Sequence, residues 1–207
     1  MKIKISLLLL FTLNLSAQEN KWKTEISDEG KTEVVYAIYD SINVDKEEVT
    51  YIEYKAKTTT SASLENCIEV FNNPDMHKKF YEYTDISEKV KDVSENEWII
   101  YYYYSPPWPI ADSDCVSRIK MISDSLNKKV IFTSFSESEL IEMKDVTRSE
   151  LNDITFTFTK ISESEVEVFI NAKLIPAVSA PNWMMSSWFP DGPANTLSRF
   201  KKLAENL

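Results

Sequence analysis

Two hydrophobic periods divide the chain. Thr32 to Tyr39 is a run rich in Val and Tyr, and from Val49 to Thr58 apolar or aromatic residues alternate with polar ones. In the second run Ile52, Tyr54 and Ala56 share one face, and Glu53, Lys55 and Lys57 the other. That spacing predicts strands with one buried side. A helical repeat follows, with Leu64, Cys67, Ile68 and Phe71 recurring at three- and four-residue intervals and Ser61 or Ser63 available as cap. Asn72-Asn73-Pro74 ends it, and Pro74 suits the first position of a short second helix reaching Phe80. Strands then follow almost continuously over about 82–92, 97–104, 113–123, 129–137, 151–160 and 164–174. The last two runs are the clearest: Ile154, Phe156 and Phe158 alternate with threonines, and Val166, Val168, Ile170, Ala172 and Leu174 with polar residues. An antiparallel sheet covered on one side gives this pattern. A helical region from Pro181 to about Glu205, interrupted by Pro190-Asp191-Gly192-Pro193, closes the chain. The order of elements is α+β, and no repeat or linker divides it.

The first residues break both patterns. Lys2 and Lys4 precede an apolar run from Ile5 to Leu15, and Leu15-Ser16-Ala17 is a small-residue cleavage site. The run is too short for a membrane-spanning helix, which needs roughly 20 apolar residues. Residues 1–17 are therefore expected to be a secretory signal, leaving residues 18–207 as one exported, periplasmic or secreted domain. Without Lys2 and Lys4 that domain holds 21 basic residues against 33 acidic ones, a net charge near −12. Such a surface repels a nucleic-acid backbone, so no nucleic-acid partner is expected. The charge and low hydropathy favour a monomer. Cys67 and Cys115 could pair in an oxidising compartment, but each sits in an apolar stripe where cysteine behaves as a small hydrophobe. Two buried thiols are the preferred reading.

Much catalytic chemistry is excluded by count. With Gly30 and Gly192 the only glycines, no phosphate-cradling loop and no GxSxG elbow can be written. The one histidine, His77, lies in the polar stretch Asp75-Met76-His77-Lys78-Lys79 and is expected to be a solvated surface residue. Cys67, His77 and Cys115 lack metal-ligand spacing. Glu137, Glu139 and Glu142, like Asp145, Glu150 and Asp153, read as solvated charge runs, and Asp112 and Asp114 as turn residues. No catalytic residue, metal or cofactor is assigned.

The segment from Tyr101 to Met121, YYYYSPPWPIADSDCVSRIKM, is the most informative. An aromatic strand meets a proline corner, and after Asp114 the alternation resumes with Cys115, Ser117, Ile119 and Met121 on one face. Near the end, Pro181-Asn182-Trp183-Met184-Met185-Ser186-Ser187-Trp188-Phe189 places Met184 and Trp188 on one helical face, with Trp183 and Ser187 beside them. So many large, adaptable apolar groups suit a pocket wall as well as a core. Pro107-Trp108-Pro109 through Arg118, together with Ile175-Pro176 and Pro181-Asn182-Trp183-Met184, resembles START (StAR-related lipid-transfer) domains over roughly residues 30–207.

The resemblance implies a helix-grip fold: a curved antiparallel β-sheet wrapped around a long C-terminal helix, with an internal apolar cavity. It implies non-catalytic binding, with or without transfer, of a lipid, fatty-acyl or sterol-like molecule by an exported bacterial member. The implied ligand-binding residues are Ile100, Tyr102, Tyr104, Cys115, Ser117, Ile119, Trp183, Met184, Ser187 and Trp188. The usual arginine of the motif's R-D pair is Ser113 here, so an ion pair at Asp114 is expected to be lost, and Ile119 stands where some members carry a buried basic residue. Head-group recognition would then fall to tyrosine hydroxyls and Ser117. Two further readings share the architecture: a polyketide cyclase-like enzyme, and a protein-interaction domain with a filled core. The PDGP break reads either as a hinge, letting Trp183 and Trp188 make transient membrane contact, or as a static kink.

Overall fold

The computed structural model describes residues 22–27, 32–142, 145–178 and 180–207. The leader read at residues 1–17, and Gly30, lie outside the described residues. The elements in order are β1 (Lys23–Ile26), β2 (Glu33–Ile42), β3 (Glu48–Thr60), α1 (Leu64–Asn72), α2 (Pro74–Phe80), β4 (Thr84–Ser94), β5 (Glu97–Tyr104) and β6 (Ser113–Asp124). They continue with β7 (Lys129–Ser136), β8 (Thr147–Arg148), β9 (Asn152–Ser162), β10 (Glu165–Leu174), α3 (Asn182–Ser186) and α4 (Asp191–Glu205). Every strand read from the sequence is present. The two that were not read are β1, exposed along its length, and the two-residue β8. Neither has room for a two-sided pattern.

One sheet holds all the strands in the order β1-β2-β3-β10-β9-β7-β6-β5-β4, with β8 beside β6. Pairing is antiparallel along the path, and β8 alone runs parallel to its neighbour. The two helices between β3 and β4 carry the chain from the middle of the sheet to its edge. The sheet curves around α4, whose Leu197, Phe200 and Ala204 are fully buried in one cluster with Ile170, Phe156 and Phe158. Phe200 sits 5.2 Å from Phe158 and 5.4 Å from Phe80, ring centre to ring centre. This is the helix-grip architecture, with the helix on the inner face of the sheet.

Local chemistry fixes the element ends. The Ser63 hydroxyl accepts from the Asn66 amide at 3.1 Å, capping α1, and Asn73 accepts from the Asp75 amide at 3.1 Å with Pro74 in the first turn of α2. At the far end of α4, Glu205 accepts from the Ser61 amide at 2.8 Å and from the Thr60 hydroxyl at 3.0 Å. Its carboxylate is held below its ordinary range by those hydrogen bonds, against the opposing effect of burial. The end of the helix is thereby tied to the end of β3.

The outer face of β5 and β6 has a small core of its own: Ile99, Tyr101 and Val116, with Ile141 packed against them. Arg148 holds the segment bearing Ile141 in place. Its Nε and Nη2 donate to the two oxygens of Asp114 at 2.8 Å each, and the remaining N–H groups reach the carbonyls of Ser138, Ile141 and Glu142. The expected loss of an ion pair at Asp114 is thus corrected. The arginine comes from β8, brought alongside by its parallel pairing with Asp114 itself. Arg118 points outward and pairs with Glu97 at 2.7 Å and with Glu137.

Candidate functional site

The inner face of β5 presents Trp98, Ile100, Tyr102 and Tyr104, and β6 answers with Ile119, Ser117, Cys115 and Ser113 in register. Two registers of this row lie in a packed region. Trp98 and Ile119 face each other there, and the rings of Phe71, Phe132, Phe156, Phe158 and Phe200 fill the space between sheet and helix. Phe71 to Phe132 is 4.4 Å and Phe71 to Phe156 is 4.9 Å. This half of the grip is solid, and Ile119, expected to line a cavity, is a core residue.

Toward the end where β5 stops and β6 begins, phenylalanine gives way to tyrosine. Tyr54 of β3, Tyr81 after α2, and Tyr102 and Tyr104 of β5 converge with Cys115, Ser117 and Asn152. The Tyr102 and Tyr104 rings stack at 6.1 Å, and Tyr81 meets Tyr102 edge-on at 6.0 Å. Burial pushes the hydroxyls of Tyr81, Tyr102 and Tyr104 well above the ordinary tyrosine range, as it does that of Tyr54. Cys115 is also raised by burial, and Cys67 is pushed up to about 12. Both cysteines are free thiols.

His77 overturns the surface reading: it is fully buried. Nε2 meets the Phe71 carbonyl and Nδ1 the Tyr102 hydroxyl, both at 2.7 Å. Burial lowers its pKa to about 4, the Phe71 hydrogen bond opposing part of that shift. The lysines beside it point away, because α2 is amphipathic and buries His77 and Phe80, three residues apart. That spacing was the available signal, and the charged neighbours masked it.

The tryptophan-methionine segment is placed differently from the expected face. Helix α3 ends at Ser186, so no continuous helical phase joins Met184 to Trp188. The buried residues are Met185 and Phe189, which were not singled out, and Phe189 stacks on Tyr36 at 4.2 Å and 3°. Trp183 is 71 % exposed and stands outside the site. Ser187 is also exposed and donates to the Met184 carbonyl at 2.6 Å. Met184 and Trp188 are half-buried. Trp188 lies edge-on to Tyr54 at 5.6 Å and donates its indole N–H to Glu82 at 3.0 Å. Glu82 also accepts from Asn195 at 3.1 Å and pairs with Arg199 at 3.3 Å, locking the junction of α3 and α4 to the turn after α2.

Residues 175–178 and 180, Met185 of α3 and the start of β3 line a cleft of about 300 Å³, in which Val49, Ile175, Val178, Ala180 and Met185 stand beside the charged Glu47, Glu48, Arg148 and Glu150. Met185 belongs to both cleft and core. Among the described residues no group of three or more His, Cys, Asp or Glu could hold a metal ion, and no helix is long and apolar enough to cross a membrane.

No protein-family model and no curated protein matches the sequence. Solved structures do match. A STAR-related lipid transfer protein from Xanthomonas axonopodis superposes with a TM-score of 0.72 at 17% identity, covering 88% of this chain and 98% of that one. Human StAR-related lipid transfer protein 5 superposes with a TM-score of 0.71 at 12% identity, covering 92% and 89%. An aromatase/cyclase from Streptomyces sp. R1128 gives 0.51 at 6% identity, covering 74% and 93%. The chain has the START helix-grip fold.

Proposed function

We propose that this chain binds one hydrophobic molecule between the sheet and its C-terminal helix, and releases it chemically unchanged. The observation that carries this reading is the change from packed phenylalanine to convergent tyrosine along the inner face, together with a cleft that shares Met185 with the core. A tyrosine ring offers apolar surface and one neutral polar handle. Burying an acyl chain there is worth about 0.8 kcal/mol per CH₂ removed from water. Between sheet and helix, His77 is moved down from its ordinary value, and Tyr102, Tyr104 and Cys115 are moved up, each away from neutrality. A general acid or base works best with a pKa near the operating pH. That supports a binder over an acid–base enzyme of the same fold. The reading of residues 1–17 as a secretory leader, together with the acidic composition, supports an exported, monomeric carrier.

Native mass spectrometry of the protein purified from its source, followed by extraction and identification of any adduct, tests this reading. A stoichiometric apolar adduct recovered unchanged after incubation with the protein is the expected result. A bare chain that takes up no member of a lipid panel would favour an interaction domain with a filled core. An adduct converted to a new mass would favour an enzyme.

A further inference from the structure

The way His77 is held decides what the tyrosines can offer a ligand. A carbonyl oxygen only accepts, so the 2.7 Å contact to Phe71 places the ring hydrogen on Nε2 and leaves Nδ1 bare. Tyr102, 2.7 Å from Nδ1, therefore donates its hydroxyl hydrogen to the imidazole. Its oxygen keeps lone pairs and has no hydrogen to spare. Tyr104, on the same face of β5 and stacked at 6.1 Å, is the complement. Among the described residues its hydroxyl meets no hydrogen-bond acceptor, which leaves its own hydrogen available.

We propose that Tyr102 and Tyr104 together read a single hydroxyl on an uncharged, otherwise apolar ligand. Tyr102 accepts the ligand's hydrogen and Tyr104 donates to its oxygen. This rests on the binding reading above and narrows its substrate class. A carboxylate or an ether brings only lone pairs, which face the lone pairs of Tyr102 without a hydrogen between them. An anionic head group also finds no free arginine: Arg118 is turned outward to Glu97 and Glu137, Arg199 pairs with Glu82, and all five N–H groups of Arg148 are committed to Asp114 and three carbonyls. His77 touches no ligand in this scheme. It is a positioning residue that fixes the direction of the Tyr102 hydrogen.

The test is competition of 1-hexadecanol, hexadecyl methyl ether and hexadecanoate against the fluorescent apolar probe N-phenyl-1-naphthylamine bound to the whole protein. The alcohol should displace the probe at a concentration about tenfold lower than the ether, a ratio equivalent to about 1.4 kcal/mol, and hexadecanoate should bind more weakly than the alcohol. His77→Phe frees the Tyr102 hydrogen, and the alcohol-to-ether ratio should fall toward one. Tyr102→Phe gives the same readout should His77→Phe not fold. Equal affinity for alcohol and ether in the wild type, or an unchanged ratio in Tyr102→Phe, overturns the inference and leaves the binding reading standing. Failure of all three compounds to displace bound probe, or failure of the probe to bind, overturns the binding reading itself.

Discussion

Removing His77 from water shifts its titration, and the shift has a thermodynamic consequence. The ordinary value of 6.5 falls to about 4 in the folded chain. Between those two values the unfolded chain takes up a proton that the folded chain refuses, so stability falls as pH drops from about 6.5 to about 4 and levels off below. A shift of this size corresponds to about 3 kcal/mol across the window. Urea unfolding midpoints at a series of pH values should show this loss in the wild type, and His77→Phe should lack it. Parallel curves for the two proteins would contradict the buried, neutral assignment. Asp114 carries a second prediction at this scale. Its side chain is fully buried against Arg148, and removing one partner of such a pair leaves an uncompensated charge, at roughly 3–5 kcal/mol. Asp114→Ala should lose about that much by urea unfolding, and amide exchange should accelerate first around Ser138 to Glu142. Residue roles of this kind were the least readable part of the sequence. Asp114 stood out, but its arginine lies 34 positions away on a strand of two residues. The lysines flanking His77 concealed the spacing to Phe80.

The elements that bear on access are α3, α4 and the loop before them. Pro190-Asp191-Gly192-Pro193 was readable as a discontinuity, and the structure shows what kind: Asp191, Gly192 and Pro193 form the first turn of α4. Gly192 is there because Trp188 lies on it, and a Cβ would come within 1.8 Å of the indole. Gly192→Ala should therefore displace Trp188 and cost about 1–3 kcal/mol, read as a lowered unfolding midpoint. With Trp188 held by Glu82 and Phe189 stacked on Tyr36, the second half of the 181–189 segment is anchored. Any lid must be the 175–180 loop and the start of α3, where Trp183 is exposed. A disulfide engineered across the cleft, from β3 to the 175–180 loop, should slow ligand exchange in the oxidised form and restore it on reduction. Unchanged exchange would rule that lid out. The phase of this segment could not be read because a five-residue helix is too short to carry a periodic signal.

For the whole molecule, alternation was enough to give the strands, their faces and the α+β order, because a sheet buried on one side imposes period two on its residues. Alternation placed Cys115, Ser117 and Ile119 on one face, the START resemblance added Ile100, Tyr102 and Tyr104, and the structure sets both rows on the inner face. Alternation could not tell which of them meet a solid core and which meet polar groups. That depends on what α1, α2 and α4 bring opposite, above all Phe71 and Phe200 against the far registers and Tyr81 against the near ones. The division into a packed half and a tyrosine-lined half is what the functional reading rests on. Photo-crosslinking with a diazirine-bearing fatty alcohol, mapped by peptide mass spectrometry, tests it most directly. Labels on Tyr102, Tyr104, Tyr81 or Met185, blocked by excess 1-hexadecanol, are the predicted result. Labels confined to exposed residues such as Trp108 and Trp183, undiminished by competitor, would contradict a ligand held between sheet and helix.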